Sequence, residues 1–128
     1  MSQELIDAAR AAGAHAHAPY SHFHVGAAVE TADGRVFVGC NVENASYGLT
    51  ICAERGAICS AVAAGATQIK RVAVVAPGAP SPCGACRQVL AEFGPAMEVI
   101  LADADDVARV RTTTLDKLLP DQFVFTGE

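Results

Sequence analysis

Two cysteine-bearing segments, far apart in the chain, restrict its folding more than any other feature. The first is Cys52-Ala53-Glu54, at the expected start of one helix, and the second is Pro82-Cys83-Gly84-Ala85-Cys86, at the expected start of the next. Two cysteines three apart at a helix N-terminus can face one ion, and a thiolate from a neighbouring helix completes a three-ligand site. A fold that uses all three must bring two helix N-termini together.

The placement suits the chemistry. A metal ligand has to be a thiolate, and the positive end of a helix dipole lowers the cost of that charge. Three thiolates on Zn²⁺ leave a net charge of −1, so a nearby cation is expected. Arg55 and Arg87 each directly follow a motif, and at least one is expected to donate hydrogen bonds to a ligand sulfur. Three protein ligands leave one tetrahedral position open, as in catalytic zinc sites, where water becomes acidic enough to supply hydroxide near neutral pH. Glu54 is two residues from a ligand, so its carboxylate can face that position without binding metal and can carry protons. A purely structural site would recruit a fourth ligand from Cys40, Cys59 or a histidine, but it would leave Glu54 and Pro82 without a role. The joint pattern is the three-cysteine form of the zinc-deaminase signature.

Composition narrows the setting. The chain has 128 residues, suited to one domain, and 52% are hydrophobic, mostly Ala and Val. The net charge of −5 with no cluster of Lys or Arg argues against nucleic acid as the main partner. No apolar run reaches the roughly 18 residues of a spanning helix, and no secretory pattern opens the chain, so a cytoplasmic protein without membrane contact is expected. Five cysteines, an odd number, disfavour a disulfide scaffold. Cys40 and Cys59 are read as small buried hydrophobes.

Hydrophobic patterning predicts a helix over residues 4–16 that ends near Gly13. Strands over 25–31 and 35–40 follow, joined by a hairpin turn in which Gly34 takes a positive φ. Residues 41–50 read as loop, 51–64 as a helix capped by Gly65, and 71–76 as a buried strand. Residues 77–82 are a proline-rich loop, 83–93 a helix closed by Gly94, and 97–102 a strand. A short strand near 107–112 and a short helix over 115–119 complete the series. The strand–helix–strand order predicts an α/β fold: a three-layer α/β/α domain with a mixed sheet of about five strands.

The chain resembles the cytidine deaminase family, in its small homotetrameric form, along most of its length. The matching motifs are Pro19-Tyr20-Ser21-His22-Phe23, Val25-Gly26-Ala27-Ala28, and the run from Gly39-Cys40-Asn41-Val42-Glu43 through Asn44-Ala45-Ser46-Tyr47-Gly48. Cys52-Ala53-Glu54-Arg55 and Ser81-Pro82-Cys83-Gly84-Ala85-Cys86-Arg87-Gln88 follow, with Leu118-Leu119-Pro120 and Phe123 near the end. The resemblance implies hydrolytic deamination of free cytidine and deoxycytidine, with Glu54 as acid and base and one Zn²⁺ per subunit on Cys52, Cys83 and Cys86. It implies that Phe23 stacks on the pyrimidine, that Asn41 and Glu43 bind the ribose hydroxyls, and that Ala53 borders the substrate. It further implies a homotetramer with shared pockets, in which Tyr47 and Phe125 are candidates for donation across an interface. Gly56 departs from the family, which commonly has threonine there. His22 and His24 read as surface residues. Two rival readings are a deaminase of another aminopyrimidine or of a base within nucleic acid, and a non-enzymatic zinc module.

Overall fold

The computed structural model describes residues 2–127. Its helices are α1 (Ser2–Gly13), α2 (Ala53–Ala63), α3 (Gly84–Phe93) and α4 (Leu115–Leu118). Its strands are β1 (Gly26–Thr31), β2 (Val36–Cys40), β3 (Ile69–Ala76), β4 (Glu98–Asp103) and β5 (Val110–Thr114). The strands form one mixed sheet in the order β2-β1-β3-β4-β5. β1 runs antiparallel to both β2 and β3, and β5 antiparallel to β4. β3 and β4 are parallel because α3 carries the chain back between them.

The period-two alternation of the strands divides the core into two layers. Ala27, Val29, Val72, Val74, Val99 and Leu101 face α2 and α3, meeting Ala57, Ile58, Ala61 and Leu90. Ala28, Ala73, Val75, Ile100 and Ala102 face the other way and are covered by Leu5, Ile6 and Ala9 of α1. A sheet covered on both faces needs strands that are apolar nearly throughout, and β3 is buried without a break from Val72 to Ala76. The expected three-layer α/β/α architecture is therefore observed.

Most boundaries fall where the sequence predicts. Gly34 turns the β1–β2 hairpin with φ of 90°, and Gly65 follows α2 with φ of 93°. The last strand is a correction. Residues 104–109 are turn rather than strand, because Asp103 and Asp106 side chains capture the N–H groups of Asp105 (2.9 Å) and Ala108 (3.1 Å). The strand starts only at Val110, and Val107 is exposed. Cys59 is a second correction: it is exposed rather than buried. The buried positions of α2 are Ala53, Glu54, Ala57, Ile58 and Ala61, a stripe that Cys59 misses. Cys40 is half-buried, at the end of the edge strand β2. His22 and His24 are exposed, as expected.

Candidate active site

The sheet places two helix N-termini side by side. Cys52 is the N-cap of α2, with extended backbone, and Cys83 is the N-cap of α3. Cys86 lies in the first turn of α3 and is fully buried. Gly39 decides how closely α2 approaches β2: a Cβ there would lie 2.4 Å from both Ala53 O and Ala57 N. Only a residue without a side chain lets the first turn of α2 rest on this strand.

The sulfurs of Cys52, Cys83 and Cys86 all lie within 4.8 Å of one another, with Cys52 and Cys83 4.0 Å apart. Tetrahedral zinc with Zn–S bonds of about 2.3 Å sets its sulfurs about 3.8 Å apart. The trio therefore fits a zinc ion both in donor chemistry and in spacing. The Cys52 thiol is pushed well below its usual value, first by a hydrogen bond from Cys86 and then by Arg55. Arg55 Nη2 donates to Cys52 Sγ at 3.4 Å, the cation-to-sulfur bond the sequence anticipates. Cys86 moves the other way, pushed up by its donated hydrogen bond to Cys52 and by burial. Arg87 donates to no sulfur among its hydrogen bonds. Its Nε binds Pro82 O and its Nη1 binds Leu118 O, both at 2.8 Å, so it ties the residue before Cys83 to the C-terminal segment.

Glu54 is 5% exposed and lines the same cavity as Cys52 and Cys83. Burial raises its carboxyl above its usual value, and the Cys52 charge raises it further. The cavity measures about 290 Å³, near the small end of small-molecule sites. Phe23, Val25, Ala53, Val74, Ala76 and Pro80 make its wall largely apolar; Asn41, Thr50 and Ser81 bring polar groups.

Asn41 is buried, and its side chain organises the Phe23 loop. Its Nδ2 donates to Phe23 O at 2.7 Å, and its Oδ1 accepts from Val25 N at 2.9 Å. Phe23 itself is 40% exposed at the cavity. Glu43 lies in a neighbouring hollow with Tyr20, Ser21, Tyr47 and Thr50, and Thr50 borders both spaces. Its Oε1 accepts from Tyr20 N (3.0 Å) and Ser21 N (3.2 Å), and its Oε2 accepts from Ser21 Oγ. The Ser21 hydroxyl first, then the two N–H groups, holds this carboxyl below its usual value.

Tyr47 and Phe125 stand outside the cavity. Tyr47 is 74% exposed in a 3-10 turn, with its ring 5.8 Å from that of Tyr20. Phe125 is 72% exposed beside Gln88 and Glu92 of α3, so it closes no core of its own. The motifs leave Gly39, Thr50 and Ser81 without roles. For Gly39 the signal is visible in the sequence, since a glycine inside a strand marks a close backbone approach.

A mixed sheet that carries three convergent thiols and a buried carboxylate at paired helix N-termini is the site of a zinc deaminase. The model of the cytidine and deoxycytidylate deaminase zinc-binding region matches residues 1–102. The chain belongs to that family. A curated cytidine deaminase from Sporosarcina psychrophila is 46% identical over 124 residues, 94% of this chain and 90% of that protein. The crystal structure of the cytidine deaminase from Burkholderia pseudomallei superposes with a TM-score of 0.90 at 53% identity, covering 96% of this chain and 99% of that one. That of the Mycobacterium tuberculosis cytidine deaminase gives 0.81 at 43% identity, covering 97% and 98%. Among the described residues no helix is long and apolar enough to cross a membrane.

Proposed function

We propose that the chain, as one catalytic domain over residues 1–128, hydrolyses the C4 amino group of free cytidine and deoxycytidine to give uridine or deoxyuridine and ammonia. The observation that carries this reading is the trio of sulfurs, of which Cys52 and Cys83 line the same cavity as the buried Glu54 carboxylate. Cys52, Cys83 and Cys86 hold one zinc per chain, and Arg55 offsets their charge. When bound, zinc supplies Lewis acidity and lowers the pKa of water toward about 7. Glu54 does the proton work: it delivers a proton to N3, which makes C4 electrophilic as the oxygen of a water molecule bonds to it, and it recovers a proton from that water and passes it to the amino group, so that the C4–N bond breaks and ammonia leaves. Phe23 stacks on the pyrimidine and Ala53 borders it. Asn41 keeps one Nδ2 hydrogen beyond its bond to Phe23 O, and Glu43 keeps free lone pairs, so the two supply a donor and an acceptor for the ribose hydroxyls.

The exposed rings of Tyr47 and Phe125 support their donation to neighbouring pockets in a homotetramer. The net charge of −5 supports a free nucleoside over a nucleic-acid strand, and a cytoplasmic role in pyrimidine salvage follows from that substrate. Purified protein is incubated with cytidine, deoxycytidine and a cytosine-bearing single-stranded oligonucleotide, with ultraviolet absorbance and released ammonia as readouts. Both nucleosides should be deaminated and the oligonucleotide left intact. Reaction of the oligonucleotide alone would reverse the substrate assignment.

A further inference from the structure

The loop of residues 77–82, between β3 and α3, supplies Pro80, Ser81 and Pro82 to the cavity wall and leads directly into Cys83. It is not a relaxed segment. Gly78 has φ of 81°, and Ala79 has φ of 49°, a left-handed conformation that a residue with a Cβ adopts at a cost. Such a backbone persists only where its surroundings over-determine it. Inside, Ala79 is buried and its N–H binds Ala76 O at 3.1 Å. Outside the cavity, two side chains hold the same loop. The Asp103 carboxylate, 7% exposed at the end of β4, accepts the N–H of Asp105 at 2.9 Å and meets Arg109 Nη1 at 3.5 Å, and the Gly78 N–H of the loop favours its charged form. Arg111, exposed on β5, donates from Nη2 to Ser81 Oγ at 3.0 Å. Neither residue borders the cavity, and the deamination chemistry uses neither. β4 and β5 are paired antiparallel, so a single hairpin carries both contacts.

We propose that Asp103 and Arg111 are positioning residues: from the β4–β5 hairpin they hold the 77–82 loop in the form that shapes the cavity wall and sets Cys83. Arg111 acts through Ser81, and Asp103 acts through the backbone of Gly78. The inference rests on the deaminase reading for its kinetic consequence, but the loop contacts stand without it.

The test uses the zinc-loaded protein, after wild-type turnover of cytidine has been measured. Arg111→Ala removes an exposed side chain, so folding and zinc content should be retained, while kcat/KM should fall about tenfold through imprecise placement of the cavity wall. Arg111→Lys should restore part of the loss. Because Arg111 works through Ser81, the double variant Arg111→Ala with Ser81→Ala should lose no more than the worse single variant. Asp105→Ala, in the same hairpin, should match wild type, because Asp105 contributes only its backbone N–H to the clamp. Amide hydrogen exchange at Gly78, Ala79 and Ser81 reads the loop independently of activity and should accelerate in Arg111→Ala and in Asp103→Asn, which preserves side-chain size. Unchanged exchange in both variants, additive losses in the double variant, or Arg111→Ala kinetics equal to wild type would overturn the proposal. Failure of the wild-type protein to deaminate cytidine would count against the deaminase reading instead, and the exchange result would still decide the clamp.

Discussion

Gly39 and Gly56 face each other across the contact between β2 and α2, and replacing either with alanine should have opposite results. A Cβ on Gly39 would sit 2.4 Å from Ala53 O and Ala57 N, both backbone atoms, whereas ordinary Cβ contacts begin near 3.4 Å. The first turn of α2 must therefore retreat by about 1 Å in a core that packs at crystal-like density. Overpacking of this kind costs about 1–3 kcal/mol, or roughly 4 °C of Tm per kcal/mol for a chain of this size. The retreat also carries Cys52 and Glu54 away from Cys83 and Cys86, which ride on a different helix. A 1 Å misplacement in a catalytic constellation is worth roughly 100-fold in rate. Gly39→Ala should accordingly lower Tm, weaken zinc retention under a chelator and reduce kcat by about two orders of magnitude. A Cβ on Gly56 meets nothing closer than Gly39 Cα at 3.6 Å. Gly56→Ala should then raise stability by up to about 1 kcal/mol by removing a helix glycine, with zinc and turnover intact. Differential scanning calorimetry, chelator challenge and initial rates on the pair decide the matter. A Gly39→Ala protein with wild-type Tm and turnover, or a Gly56→Ala protein more damaged than it, would refute the packing argument.

Glu54→Gln preserves shape and removes the proton carrier. Among the described residues the cavity wall holds no second carboxylate, so kcat should fall by about 10⁴ with zinc content unchanged; a rate near wild type in single-turnover assays would contradict the acid/base role. Cys83→Ser and Cys86→Ser should each release zinc, measured by metal analysis after dialysis, and full occupancy in both would remove them as ligands. Asp103 is held below its ordinary 3.8, first by the N–H of Asp105 and then by that of Gly78. Its charged form is the one the fold favours, so it stabilises above the unfolded value, and that contribution disappears as pH falls through the lower folded value. The stability gap between wild type and Asp103→Asn, read from urea midpoints, should be open near pH 7 and close as pH drops below about 4. A gap independent of pH would show that charge plays no part.

The sheet and the cysteine cluster are legible in the sequence because both depend on local rules. Apolar runs and turn residues mark β1 to β4, and thiols at helix starts mark the metal trio. What remains hidden depends on contacts between distant segments. The Asp103 and Asp106 side chains turn residues 104–109 away from strand, a competition that β-propensity around Val107 does not register. Arg55 and Arg87 occupy equivalent places after their motifs, yet only Arg55 reaches a sulfur. The Pro82 and Leu118 carbonyls capture Arg87, and the second of these lies 31 residues away in sequence. Cys59 is the contrary case. Its exposure was readable from the spacing of the α2 stripe, and its residue type alone misleads.

If one zinc on Cys52, Cys83 and Cys86, served by Glu54, deaminates a free cytosine nucleoside, metal and turnover must appear and vanish together. The most direct measurement takes purified chain, determines its zinc content, and follows cytidine and ammonia together. One zinc per chain and one ammonia released for each uridine formed are expected, with both zinc and turnover lost in Cys83→Ser. Full zinc occupancy with no ammonia from cytidine or deoxycytidine would contradict that coupling.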